Sequence, residues 1–147
     1  MHLTGQKSLF LAVVFAFACT DSSGPGAVTA RFELNDINGR PLPTYPAATP
    51  GLTPTILSST LIFDQTGQAT ITEHRTEWNG IDATVVTKYT YRISDNEILF
   101  SYLIPCPPNA NCIAPPKGTF LLNRLSLEMG HLDSLVILYN YRLNPAQ

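Results

Sequence analysis

The stretch 68-QATITEHRTEWNGIDATVVTKYTYRI-93 decides the reading of this chain. It divides into two long runs rich in Thr, Val, Ile and Tyr on either side of Asn79-Gly80. Such residues suit a pleated, half-buried strand, and an Asn-Gly pair between alternating runs is the strongest short-range hairpin signal. A two-residue type I′ turn predicts that Trp78 faces Ile81, His74 faces Val85 and Thr70 faces Tyr89. Side chains alternate across a strand, so His74, Trp78, Val85, Tyr89, Tyr91 and Ile93 are expected on the interior face. Glu73, Arg75, Glu77, Asp82, Lys88 and Arg92 then form a solvated exterior. Ala69 and Ile71 fall on the polar face in this register, which leaves room for a bulge in the first strand.

Working outward, the 147 residues suffice for one ordinary domain. Charged residues make up only 14% of the chain and the formal net charge is −2. No basic patch appears, which argues against a nucleic-acid partner.

Residues 1–18 read as a signal peptide: Lys7 and the terminal amine precede the apolar run LFLAVVFAFA (9–18), too short to span a bilayer. Ala16-Phe17-Ala18 then precedes Cys19, which resembles a bacterial lipoprotein signal. In that family the cysteine is lipidated and becomes the first mature residue, although Ala16 stands where Leu is usual. Ordinary signal cleavage and an uncleaved anchor are the alternatives. The resemblance implies an exported, lipid-anchored protein of the bacterial cell envelope, with the membrane as partner through Cys19. Residues 19–27 are small and polar with Gly and Pro, as in a flexible tether. In an oxidising compartment Cys106 and Cys112, flanking a five-residue loop, are placed to form a disulfide, which leaves Cys19 as the odd thiol.

Residues 28–143 form the predicted β domain. Strands are expected at 28–37, 55–64 (Leu57, Leu61 and Phe63 on one face), through the long hairpin, and at 97–104, 118–122, 125–129 and 135–143. Proline-rich loops occupy 41–54 and 105–116. All twelve prolines lie outside the proposed strand interiors, as ladder hydrogen bonding requires. Eight strands in meander order predict an all-β, antiparallel up-and-down barrel, with a β-sandwich as the competing architecture. The segment NDINGRPLP (35–43), the successive Asx-containing turns, Gly118 opening a strand and the terminal LYNYRL are similar to small secreted bacterial lipocalin-like proteins. The Gly-x-Trp usual near the first strand of that family is missing here. The resemblance implies a small up-and-down barrel.

Chemistry-bearing motifs are sparse. His74 stands between Glu73 and Arg75, but strand neighbours face opposite ways, so an adjacent carboxylate is poorly placed to orient it as a base. Glu73 and Glu77, interleaved with Arg75, read as solvated charges rather than an acid/base pair. His131 lies in a predicted turn, and His2 belongs to the signal. No Gly-x-Ser-x-Gly, phosphate loop or zinc spacing is present, so no catalytic residue, metal or cofactor is assigned. Trp78, Tyr89, Tyr91, Phe100, Tyr102, Tyr139 and Tyr141, with His74 and Val85, are the candidate lining of an interior cavity; core filling is the competing role. The expected function is non-enzymatic: an anchored barrel that binds a small apolar or amphipathic ligand. The alternative is an envelope interaction module acting through the proline-rich loops.

Overall fold

A computed structural model describes residues 30–46, 53–108, 110, 113–132 and 135–145. The signal, Cys19 and the tether lie outside them, as does Cys112 of the expected bridge. The strands are β1 (Ala30–Ile37), β2 (Arg40–Pro41), β3 (Thr55–Phe63), β4 (Gln68–Thr76), β5 (Asp82–Ser94), β6 (Glu97–Tyr102), β7 (Lys117–Leu121), β8 (Arg124–Leu132) and β9 (Leu135–Asn144). Each long strand pairs antiparallel with the next, and β1 also pairs with β9. Eight strands therefore close into an up-and-down barrel, and β2 is a short arm on β1. Closure leaves no long unpaired edge among the described strands.

The arm fills a local gap. β3 pairs with β1 only over Ala30–Glu33. Beyond that point β2 pairs with Asp36 and Ile37, and Thr44 exchanges two backbone hydrogen bonds with Ile56 (3.1 and 2.7 Å). Asn38 and Gly39, the two residues of the β1–β2 turn, both have positive φ (51° and 76°). The Asn-Gly I′ hairpin of this chain is here.

The central hairpin turns differently. The Glu77 amide donates to the Ile81 carbonyl (2.8 Å) and the Gly80 amide donates to the Glu77 carbonyl (2.8 Å). The loop is Trp78-Asn79-Gly80, and Gly80 carries the positive φ of 79°. Three loop residues instead of two shift the register by one, pairing Glu73 with Val85, Arg75 with Ala83 and Ala69 with Tyr89. β5 keeps its expected faces over most of its length, with Tyr89 buried and Lys88 and Arg92 exposed, but β4 is inverted. Ala69 and Ile71 are buried; Glu73, Arg75 and Glu77 follow them on the inner face; and His74 points outward to Thr84. The expectation that His74 and Trp78 face inward is thereby corrected. The apolar demand of Ala69 and Ile71 near the start of the strand outweighs the pattern at its end. Trp78, 76% exposed, sits at the hairpin tip, and Ile93 near the other end of β5 is also exposed.

Strand bulges change faces elsewhere. The pairing skips Leu57 in β3, Asn35 in β1 and Met129 in β8. In β3 the skip turns Ile56 inward and leaves Leu57 exposed, correcting its expected place beside Leu61 and Phe63. In β1 it lets Phe32, Leu34 and Ile37 all point inward. All three bulges lie toward the barrel end that carries the turn at 77–81 and both proline-rich loops. Bulges bend strands and are common at barrel rims and beside binding sites.

The opposite end is packed. Phe63 meets Phe32 edge-on at 5.8 Å, Tyr91 at 4.8 Å, Phe100 at 6.2 Å and Phe120 at 6.2 Å. Such ring pairs contribute about 0.5–1.5 kcal/mol each beyond simple burial. Gly118 holds β6, β7 and β8 close together. A Cβ there would collide with the Leu127 side chain and come within 2.9 Å of the Ser126 carbonyl.

Candidate functional site: a cavity at the open end of the barrel

The packed aromatic floor and the bulged rim leave a cavity of about 320 Å³ between them. Volumes of this order suit a small ligand. Ile71, Val85, Met129 and Ile137 give it apolar walls; Tyr89, Tyr102 and Tyr139 add aromatic faces; Pro46, Ile113 and Pro116 reach in from the proline-rich loops. The loops read from sequence as a separate interaction surface therefore help form its mouth.

One wall is polar. Glu73 and Arg75, on successive inward positions of β4, line the cavity, and Glu77 follows them toward the rim. Arg75 donates from Nε to Glu77 Oε1 at 2.7 Å, and one terminal nitrogen makes an ion-pair contact with the same oxygen at 2.7 Å. Its other terminal nitrogen reaches Glu73 Oε1 at 3.3 Å. The Tyr139 hydroxyl donates to Glu73 Oε2 at 3.3 Å. Burial lowers the tendency of Arg75 to stay charged, but the two carboxylates outweigh it and hold the guanidinium protonated. Burial pushes the Tyr89 hydroxyl up to about 12, with the charges of Tyr102 and Glu73 adding to it. Tyr139 is pushed up further by burial and by Glu73. Tyr89 and Tyr139 thus stay neutral, as donors or acceptors of hydrogen bonds.

Of the expected lining residues, the cavity gathers Val85, Tyr89, Tyr102 and Tyr139. Tyr91 and Phe100 belong to the aromatic floor. Tyr141 is fully buried and shares a 2.9 Å hydrogen bond with Ser59 across the interior. His74 and Trp78 lie outside. Sequence reading missed Glu73 and Arg75, assigned to the exterior, together with Ile71, Met129 and Ile137. The signal for β4 was available: placing Ala69 and Ile71 inward puts Glu73, Arg75 and Glu77 inward too. Met129 carried no such signal, because its place depends on the bulge in β8.

Each carboxylate contacts Arg75, Glu77 closely and Glu73 at 3.3 Å, an arrangement unlike a free acid/base pair. Among the described residues no group of three or more His, Cys, Asp or Glu side chains is placed to hold a metal ion. Cys106 is exposed on the loop after β6. The side chain of His131 lies outside the described residues. Scans against family models, curated proteins and solved structures each found no match to this chain.

Proposed function

We propose that this protein is a non-enzymatic binding module of the bacterial cell envelope, anchored to a membrane through lipidated Cys19, whose barrel holds a small amphipathic molecule at its open end. The cavity carries the reading: a barrel packed at one end and hollow at the other, with apolar, aromatic and charged groups converging on about 320 Å³. A barrel of eight strands can be filled by side chains alone, so the space left beside Tyr89 and Tyr139 is a property of this sequence rather than of the architecture. Anchoring rests on the sequence around Cys19, where Ala16-Phe17-Ala18 precedes the odd one of the chain's three cysteines.

Native mass spectrometry of the protein taken from its host membranes tests both halves. The expected result is an acylated Cys19 and a stoichiometric small-molecule adduct. An unmodified N-terminus would remove the anchor, and an acylated protein that never carries an adduct would remove the carrier. The second outcome would favour an envelope interaction module, a reading supported by the exposed Leu103, Ile104 and Ile113 on the loop beside the mouth.

A further inference from the structure

The polar wall of the cavity is unevenly neutralised, and this selects among amphipathic ligands. Arg75 makes its two short contacts with Glu77, both at 2.7 Å to one oxygen. From the described residues, Glu73 receives a single guanidinium contact and the Tyr139 hydroxyl, both at 3.3 Å. The cluster of two carboxylates and one guanidinium carries one surplus negative charge, and Glu73, the weakly satisfied member, holds it against the cavity. Among the described residues that line the cavity, Arg75 is the one cation. Lys88 and Arg92 are exposed on the outer face of β5, and Lys117 pairs with Glu128 at 3.3 Å. An anionic head group entering the barrel would find Arg75 already occupied and Glu73 repelling it. A cationic head would find a carboxylate with acceptor capacity and the faces of Tyr89, Tyr102 and Tyr139, whose electron-rich rings attract cations.

From this geometry, and resting on the cavity reading above, we propose that the ligand class is amphipathic amines, with the ammonium against Glu73 and the tyrosines and the alkyl portion against Val85, Met129 and Ile137. Burial is the main cause that holds the Tyr89, Tyr139 and Tyr141 hydroxyls protonated, and the Glu73 charge adds to it in each case.

The test is calorimetric titration of the purified full chain with n-octylamine, n-octanol and n-octanoate at neutral pH, three probes with one tail and three heads. The amine is expected to bind about tenfold more tightly than the alcohol, a difference of about 1.4 kcal/mol, and the carboxylate more weakly than both. Glu73→Gln should bring the amine to the affinity of the alcohol while leaving the alcohol within about twofold. If that variant fails to fold, the ranking of the three probes on the unaltered protein still decides. Octanoate binding as tightly as the amine would overturn the cationic assignment and leave the cavity reading standing. No heat from any probe would overturn the cavity reading itself, and the amine assignment with it.

Discussion

The hydrogen bond between Ser59 and Tyr141 offers a direct test of barrel closure. The two residues lie on β3 and β9, which are not neighbours around the barrel: β1 stands between them. Their hydroxyls meet at 2.9 Å only because the sheet curves far enough for β1 to pair on both sides. Both side chains are buried, Ser59 to 3% exposure and Tyr141 to 1%. Tyr141→Phe keeps the ring and removes its oxygen, which leaves the Ser59 hydroxyl in an apolar interior without its partner. That penalty is about 1–3 kcal/mol. Ser59→Ala strands the phenol at a similar cost. The double variant removes both groups and should cost much less than the two singles together, giving a coupling energy of about 1–2 kcal/mol. The assay is equilibrium urea unfolding. With a slope of about 1.5 kcal/mol per molar, each single change should lower the midpoint by about 1 M. Costs that add to within about 0.5 kcal/mol would show that the hydroxyls do not meet. An open sheet or a sandwich would then replace the closed barrel.

Three further perturbations probe other parts of the argument. Gly118→Ala should destabilise the fold by about 1–3 kcal/mol in the same urea assay, because its methyl group meets the Ser126 backbone and the Leu127 side chain; an unchanged midpoint would refute the close packing of β6, β7 and β8. Trp78→Ala should change the unfolding free energy in the same urea assay by no more than about 0.5 kcal/mol, since the ring is exposed at the hairpin tip; a loss of several kcal/mol would restore the two-residue turn and the inward register. The tyrosines predict alkaline sensitivity. Unfolded tyrosines lose their protons near pH 10, whereas Tyr89 keeps its proton to about 12 in the fold, and Tyr139 and Tyr141 are shifted the same way. A raised folded value means that the stabilisation is complete below pH 10 and is lost as pH rises from 10 toward 12. Tyr89→Phe should flatten that decline in urea midpoints measured across the range, and an identical pH profile would contradict the burial.

The chain's own pattern determined its class. Alternation over short runs, turn residues between them and prolines confined to loops require antiparallel strands joined in order, because each of these rules acts over a few neighbouring residues. Eight strands in meander order follow, and so do Tyr89, Tyr102, Tyr139 and Val85 as inward residues, since their strands alternate cleanly. Tertiary structure decided what local pattern leaves degenerate. Asn79-Gly80 is compatible with a two-residue turn or with a three-residue turn that needs only Gly80 at positive φ. The choice between them was made by burying Ala69 and Ile71 against Phe63, Tyr89 and Leu61. That choice carried Glu73, Arg75 and Glu77 into the barrel and put His74 and Trp78 outside, because a one-residue slip inverts every side chain on the strand. The bulges at Asn35, Leu57 and Met129 were likewise unreadable, for they answer to the curvature of a closed barrel, which no single strand encodes.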